Sequence, residues 1–227
     1  SEEVAKLENE LMLALGYEKY IAQGGDWGSM ITKWIAELFP ENCIGVHLNL
    51  VIAFPPEGED SMQGVLQEEI EGMKNIEKYQ ATGYGYFAIQ STKPQTVGYG
   101  LNDSPVGLAA WIIEKFHGWT KDDSDKLVVP LDDVLAIVSL YWHTESITSS
   151  ARFYYENGPL GFTFNPVSQP MAGAIFENEI ARPPRVWAEK IYNIVQWNQY
   201  PGGHFAALEN PKILSEDIFN FAAKLEI

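Results

Sequence analysis

The sequence predicts an α/β protein in which a block of helices is inserted into a parallel sheet. Helix and strand patterns alternate over residues 2–51, and the same alternation returns near the C-terminus. Such alternation is typical of parallel strands joined by helical crossovers. Between these two parts the apolar spacing is mostly helical. We therefore expect an α/β core from residues 1–56 and 158–227, and a helical cap from residues 57–157.

Each element of the first part shows its own signal. The segment "EEVAKLENELMLALG" carries an apolar helical stripe that ends at Gly16. "KYIAQGG" predicts a short buried strand. From Ile31 to Leu38, apolar residues recur at i, i+3, i+4 and i+7, which is one face of a helix. The apolar run Cys43–Val51 has the length of a further strand.

The middle of the chain has the spacing of helices. "MQGVLQEEIEGMKNIEKYQ", "GLAAWIIEKFHGW" and "LDDVLAIVSLYWH" are helical patterns, broken by expected loops such as "STKPQTVG". After this cap the α/β pattern resumes. "MAGAIF" and "NIVQWNQY" predict strands, while "PRVWAEKIY" and "SEDIFNFAAKLEI" predict helices.

The composition excludes several classes of partner. The net charge of the 227 residues is −16 and no basic cluster stands out, so nucleic acid and anionic membranes are not expected partners. The acidity indicates a solvated surface. Cys43 is the single cysteine, so no internal disulfide can form. The cysteine count does not indicate in which cellular compartment the protein works. The sequence contains no run of about 18 apolar residues, so no membrane-spanning helix is predicted.

The stretch "AQGGDWGSMITKW" joins a predicted strand to a predicted helix through a tight turn. Gly24 and Gly28 lie two residues on either side of Asp26, which is the spacing of a nucleophile elbow. We expect larger side chains at both glycine positions to clash. The elbow would expose Asp26 at the carboxyl edge of the sheet, with the backbone N–H of Trp27 as an oxyanion donor. The alternative is that Asp26 is an ordinary helix N-cap.

The chain order supports a catalytic role for this turn. In folds with a nucleophile elbow, an acid and then a histidine follow the nucleophile. Here Glu177 and Glu179 follow a predicted strand and compete for the acid position. His204 lies in a glycine-rich loop after the last predicted strand, which makes it the candidate base.

The other three histidines have structural explanations. His47 lies within an apolar strand and is expected in the core. His117 and His143 lie on helical patterns of the cap, and we expect both to have a structural role.

Several segments together resemble a known family. "YIAQGGDWGSMI", "STKPQTVGYGLNDSPVGLAAWIIEKF", "SSARFYYEN" and "GGHFAALENP" are similar to motifs of α/β-hydrolase epoxide hydrolases of the microsomal and juvenile-hormone type. These segments extend from about residue 10 to the C-terminus. The resemblance implies an α/β-hydrolase fold with a helical cap.

The resemblance also implies roles for five residues. Asp26 would be the nucleophile, His204 the general base, and Glu179 the acid that orients the histidine, preferred over the other glutamate for its position before "RPPR". Tyr86 from "GYFAIQ" and Tyr154 from "RFYYEN" would donate protons to the epoxide oxygen. Without the resemblance, ordinary aromatic packing would explain both tyrosines. We expect the first three side chains to converge, with the tyrosines facing the nucleophile from the cap.

These residue types suit the implied chemistry. A carboxyl group with an ordinary pKa of about 3.9 is ionised at neutral pH and can open an epoxide without a general base. The products of this route are an alkyl-enzyme ester and then a vicinal diol. The implied partners are a small hydrophobic epoxide and water, and a homo-oligomer is compatible with the sequence. No metal or organic cofactor is required, and no metal-ligand spacing is present.

One expected motif does not occur. Epoxide hydrolases of this type have an "HGxP" loop well before the elbow that supplies a second oxyanion donor, and the 25 residues before Asp26 do not contain it. We therefore expect the chain to be the C-terminal part of such an enzyme, without its early strands. The elbow strand should then lie at an edge of the sheet, with apolar surface of Ile21, Ile31 and Ile35 partly exposed.

Two alternatives differ in class from an epoxide hydrolase. A haloalkane dehalogenase also uses an aspartate followed by tryptophan and forms an alkyl-enzyme ester; the tyrosine pair and the "GGHFAALE" ending oppose it. A truncated, inactive chain with only a binding or structural role is the other alternative.

Overall fold

A computed structural model describes residues 1–57, 60–120, 126–158, 163 and 165–225 of the chain. The chain divides into two compact units. Unit 1 comprises Ser1–Ile76 and Gly161–Ile227, and unit 2 comprises Glu77–Leu160.

Unit 1 is built on a parallel sheet, which confirms the predicted fold class. In the described residues the sheet has four strands in the order β1-β2-β3-β4, which are Tyr20–Gly24, Cys43–Leu48, Val167–Asn178 and Tyr192–Gly203. All three pairings are parallel. The elbow strand β1 lies at an edge of this sheet, as expected.

Helices cover the sheet of unit 1. They are α1 (Glu2–Ala14), α2 (Trp27–Leu38), α3 (Gln67–Lys78, which ends in unit 2), α9 (Arg185–Ala188), α10 (Ala206–Glu209) and α11 (Pro211–Lys224). The helix α1 ends as predicted, because Gly16 just beyond it adopts a φ of +88°.

The two faces of strand β2 pack against different helices. Val46 and Leu48 belong to the apolar cluster that contains Ile35 of α2. Gly45 and His47 face Phe221 of α11 instead. Because successive side chains of a strand point to opposite faces, α2 and α11 lie on opposite sides of the sheet.

The exposure expected around the elbow strand is only partly observed. Ile21 and Ile31 are half-buried. Ile35, by contrast, is 3% exposed and packs in the core, so its expected exposure is wrong. The reason is that Ile35 lies within the buried cluster with Val46 and Leu48, whereas Ile31, one turn earlier on the same face, packs against the edge of that cluster.

The segment predicted as a helix in "PRVWAEKIY" is mostly not helical. Only Arg185–Ala188 forms a helical turn, and β4 begins at Tyr192. Tyr192 pairs with Val167 at the start of β3. Pairing in the sheet therefore overrides the local helical spacing, which is a weak determinant of structure.

Unit 2 is helical. It contains a π-helix (Tyr79–Gly83) and the helices α4 (Gly85–Thr92), α5 (Pro94–Asp103), α6 (Pro105–Gly118), α7 (Leu131–His143) and α8 (Ile147–Asn157). Its core includes Leu101, Leu108, Val138 and Ile147. The expected loop "STKPQTVG" is wrong, since Pro94 opens α5, where the fixed φ of proline favours the first helical turn.

The boundary between the units lies within α3, and this helix belongs to unit 1 as far as Ile76. The Asn75 side-chain amide donates hydrogen bonds to the carbonyl oxygens of Glu177 and Glu179, at 3.0 and 2.9 Å. A side chain at Gly72 would meet Arg182. These contacts hold the middle and last turns of α3 beside the end of β3.

None of the helices in the described ranges is long and apolar enough to cross a membrane.

Candidate active site

The stretch around Asp26 has the geometry of a strand–turn–helix elbow. Strand β1 ends at Gly24 and α2 begins at Trp27. Asp26 between them has a φ of +50°, a conformation that non-glycine residues rarely adopt. The backbone N–H of Trp27 donates a hydrogen bond of 2.6 Å to Asp26 Oδ1. Strained backbone of this kind is concentrated at functional sites.

The two glycines that flank Asp26 differ in the space available for a side chain. A Cβ at Gly24 would lie 2.1 Å from the carbonyl oxygen of Gly28, so the expected clash at Gly24 is confirmed. The expected clash at Gly28 is wrong, because a Cβ there meets nothing within 4 Å. Gly24 must therefore be small because the backbone oxygen of Gly28 lies against it, whereas Gly28 itself has room for a side chain.

Gly25 is a tight position that the spacing pattern did not reveal. A Cβ at Gly25 would lie 2.5 Å from Asn49 Nδ2. Asn49 follows β2 and is 7% exposed, and its Oδ1 accepts a hydrogen bond of 2.8 Å from Gln23 Nε2. Its backbone N–H also donates to the Gly24 carbonyl. The residue after β2 thus supports the elbow from the neighbouring strand.

Glu179, His204 and Asp26 form a continuous chain of hydrogen bonds. Glu179 Oε1 lies 2.6 Å from His204 Nδ1, and His204 Nε2 lies 2.9 Å from Asp26 Oδ2. The backbone N–H of Ile180 also donates to Glu179 Oε1, at 2.7 Å. Glu179 is 1% exposed and His204 is 7% exposed. The three side chains that the sequence placed far apart therefore meet at the carboxyl ends of β1, β3 and β4.

Glu177, the competing acid, lies elsewhere. Its side chain is exposed, whereas that of Glu179 is buried beside the histidine. The strand β3 ends at Asn178. The next residue can therefore turn inward to the site.

The loop that carries His204 is held by a residue that sequence reasoning missed. The Glu209 carboxylate accepts hydrogen bonds from the backbone N–H groups of Gly203 and Phe205, at 2.9 and 3.1 Å. These two amides flank His204. Gly202 nearby has a φ of +126°, and a Cβ there would lie 2.3 Å from the Asn210 side chain. The motif "GGHFAALEN" contains all these residues, but only the fold shows which of them contact the loop.

The charges in this chain of hydrogen bonds reinforce one another. Burial by itself would raise the pKa of Asp26, but the hydrogen bond and charge of His204 and the Trp27 N–H outweigh it and hold that pKa below its usual value. Burial would lower the pKa of His204, but the charge of Glu179 and the hydrogen bonds to both carboxylates raise it well above its usual value. The resting site therefore pairs an ionised Asp26 with an imidazolium.

A cavity of about 380 Å³ opens beside the nucleophile in unit 1. Its lining includes Gln23, Asn49, Leu208 and Leu214 together with Asp26 and His204. The Asp26 side chain is 40% exposed and so is accessible to a small molecule.

The remaining histidines lie where the sequence placed them. His47 is fully buried in β2, as expected, and its Nε2 lies 2.9 Å from Asp217 Oδ2. His117 and His143 are exposed on α6 and α7. Groups of three or more metal-ligating side chains are not found among the residues that the structure describes.

The two tyrosines lie together in unit 2. The rings of Tyr86 and Tyr154 meet edge to face, with 5.7 Å between their centroids. Tyr86 is 9% exposed and Tyr154 is half-buried. Their proposed role in proton donation stays a prediction.

Comparisons with known proteins agree with the motifs. Epoxide hydrolase 1 of Sus scrofa is 38% identical over 248 residues, covering 98% of this chain and 55% of that protein. Juvenile hormone epoxide hydrolase 1 of Ctenocephalides felis is 39% identical over 251 residues, covering 100% of this chain and 54% of that protein. The chain thus spans about half the length of the curated relatives it matches.

Solved structures give the same result. The structure of Aspergillus niger epoxide hydrolase matches with a TM-score of 0.87 and 34% identity, covering 97% of this chain and 56% of that one. No family model matches the chain. The expected resemblance to epoxide hydrolases, juvenile hormone epoxide hydrolases among them, is confirmed over nearly the whole chain, which has the fold of the matching part of an α/β-hydrolase.

Proposed function

We propose that this protein hydrolyses epoxides to vicinal diols through an ester on Asp26. The observation that carries the proposal is the unbroken hydrogen-bonded chain from Glu179 through His204 to Asp26. An aspartate in the elbow suits this reaction because its carboxylate is itself the nucleophile. The confirmed similarity to epoxide hydrolases supports the same assignment.

In the first step Asp26 attacks an epoxide carbon. The new bond joins Asp26 Oδ to that carbon while the carbon–oxygen bond of the ring breaks. Tyr86 and Tyr154 are the proposed donors to the oxygen that gains charge, and one of them gives up its proton. Acid catalysis of this kind typically contributes about 10²–10⁴-fold in rate. The Trp27 N–H already donates to Asp26 Oδ1, the atom that becomes the ester carbonyl oxygen if Oδ2 attacks.

The ester changes the protonation of His204. Alkylation removes the negative charge of Asp26, and with it a hydrogen bond and a charge that raise the pKa of His204 in the resting site. The imidazolium can then release its proton, which returns the tyrosine to its neutral form through solvent. His204 therefore becomes a neutral base only after the ester on Asp26 has formed, which is the step at which a base is required.

In the second step His204 removes a proton from water, which attacks the ester carbonyl of Asp26. Glu179 holds the Nδ1–H of the histidine and stabilises the imidazolium that forms. The tetrahedral intermediate collapses to the Asp26 carboxylate, and the second proton of the attacking water passes to the departing alkoxide oxygen to complete the diol. Asp26, His204 and the tyrosines then have the protonation states from which the cycle began.

The decisive experiment replaces the base and keeps the nucleophile. We expect His204→Gln to form the ester on Asp26 but to hydrolyse it at least about 100-fold more slowly. Intact-protein mass spectrometry after mixing with a styrene-type epoxide should show a stoichiometric adduct, and peptide mapping should place it on Asp26. Chloride release from a panel of haloalkanes, run in parallel, tests the dehalogenase alternative.

His117→Gln is the matched control, since that histidine is exposed on α6. It should turn over like the wild type and accumulate no adduct. Free diol at wild-type rates from the His204→Gln variant would refute the assignment of the base. An inert Asp26 in every variant would refute the proposed reaction.

A further inference from the structure

Two groups that contact Tyr86 would stabilise the negative charge left when it loses its proton. The Tyr79 hydroxyl donates a hydrogen bond of 3.2 Å to the Tyr86 oxygen. The ammonium of Lys115 lies over the Tyr86 ring, 4.6 Å from its centroid. Tyr86 itself is buried, so both contacts act where water screens them little.

Tyr79 is held in place by an unusual piece of backbone. It begins the π-helix Tyr79–Gly83, a rare element that is often found at functional sites. A Cβ at Gly83 would lie 3.0 Å from the Tyr79 ring. The ring also meets Tyr84 and Trp119 edge to face, at 6.0 and 6.1 Å between centroids. These contacts restrict the position of the Tyr79 hydroxyl.

Lys115 is confined by aromatic rings. Its ammonium lies 5.6 Å from the Trp111 ring centroid and 5.7 Å from that of Trp119, and it also contacts the Glu114 carboxylate. Glu114 is well exposed, whereas the Lys115 side chain is only 13% exposed. Water therefore screens the Glu114 carboxylate more than the Lys115 ammonium, which lies over the Tyr86 ring.

This inference rests on the proposed function, in which Tyr86 is a proton donor. We propose that Tyr79 and Lys115 are positioning residues that make Tyr86 the proton-transferring tyrosine of the pair. The Tyr86 O–H bond breaks as the epoxide oxygen leaves its carbon, and the proton goes to that oxygen. The phenolate left on Tyr86 accepts the Tyr79 hydrogen bond and faces the Lys115 ammonium, until the proton released by His204 restores it.

The ionisable groups against Tyr86 come from several elements. Tyr79 approaches from the π-helix, Lys115 from α6 and Tyr154 from α8. Glu114, also on α6, contacts the Lys115 ammonium. Loss of either supporting group should therefore make the Tyr86 phenolate harder to form.

A spectroscopic titration tests this without any epoxide. 3-Fluorotyrosine placed at position 86 reports its own ionisation through the fluorine signal. Loss of a hydrogen bond to the charged phenolate should raise the titration midpoint by about one to two pH units in Tyr79→Phe. Lys115→Met should shift the midpoint in the same direction, and Lys115→Arg, which keeps the charge, should restore it.

Tyr84→Phe is the matched control. Tyr84 also packs on Tyr79, but its hydroxyl has no part in the proposal, and the phenylalanine keeps the ring contact. This variant should titrate like the wild type. Thermal melting of each variant should establish that it is folded before it is titrated.

Single-turnover kinetics give the functional readout. Tyr79→Phe and Lys115→Met should each slow formation of the Asp26 ester by about 10-fold and leave its hydrolysis unchanged. A purely structural role would lower the fraction of active protein, and so the amount of ester formed, without slowing ester formation selectively. Unchanged titration midpoints in both variants, or equal losses in the two steps, would overturn the proposal. A clear shift in titration with no ester in the wild type would refute the proposed function instead.

Discussion

Each carboxylate oxygen of Asp26 has its own hydrogen-bond partner. Asp26 is the N-cap of α2, and its side chain accepts the Trp27 N–H. It is also the end of the hydrogen-bonded chain to His204. The two are compatible because a carboxylate has two oxygens, and Oδ1 serves the helix while Oδ2 faces the histidine.

The two half-reactions should differ in their dependence on pH. The pKa of Asp26 is held below its usual value, so the nucleophile stays ionised, and ester formation should be nearly flat from pH 8 down to pH 5. Hydrolysis of the ester needs neutral His204, so its rate should rise with pH over the same range. Rapid-quench single turnovers at a series of pH values measure both.

Ester formation that falls steeply below pH 7 would contradict this charge arrangement. It would mean that Asp26 is protonated there, in spite of its contact with the imidazolium. The His204→Gln variant serves as the reference, because it should lose the rise of hydrolysis with pH.

At the scale of elements, the elbow depends on close approach between β1 and α2. Gly24 touches the backbone of Gly28, and a Cβ at Gly24 would also lie 2.6 Å from Thr32 Oγ1. These contacts join the end of the strand to two successive turns of the helix. The positive φ of Asp26 is what allows the chain to reverse in so short a distance.

Two glycine substitutions should therefore give opposite results. Gly24→Ala forces its Cβ into backbone and should destabilise the fold by about 2 kcal/mol or more, with loss of ester formation. Gly28→Ala enters open space within a helix and should be neutral or stabilising by up to about 1 kcal/mol. Denaturant unfolding monitored by circular dichroism measures both. Equal effects would mean that the elbow is less tightly packed than the structure shows.

At the scale of the whole molecule, a buried polar network ties the sheet to the last helix. Asp217 of α11 accepts hydrogen bonds from His47 of β2 and from Gln196, Asn198 and Tyr200 of β4. The network joins residues up to 170 positions apart in the chain. It anchors the strand that leads directly into the His204 loop.

This network should make stability depend on acid pH. Burial would raise the pKa of Asp217, but the donors, His47 first, lower it to about 2 from an ordinary 3.8. A depressed pKa contributes stability that is present above pH 4 and is lost as the pH falls towards 2. The stability advantage of the wild type over Asp217→Asn should therefore shrink by about 1 kcal/mol between pH 6 and pH 3.

Urea unfolding at each pH measures this difference. Glu10→Gln, an exposed substitution on α1, is the control and should show no such trend. A constant gap between wild type and Asp217→Asn would mean that the carboxylate is not stabilised by its buried donors.

The sequence alone determined the features that depend on neighbours in the chain. The alternation of elements, the elbow around Asp26 and the loop position of His204 follow from local spacing, because helices and strands have fixed periods. Local spacing failed where pairing in the sheet intervened. "PRVWAEKIY" has the pattern of a helix, yet β4 begins at Tyr192 to meet β3.

Only the tertiary structure decided which distant side chains meet. It brought Glu179 rather than Glu177 to the histidine, packed Asn49 against Gly25, and buried Asp217 beside β4. Parallel strands bring their carboxyl ends to one edge whatever their separation in the chain, so contacts across that edge depend on strand order and register. Neither can be read from periodicity, because both depend on how elements far apart in the chain pair in space.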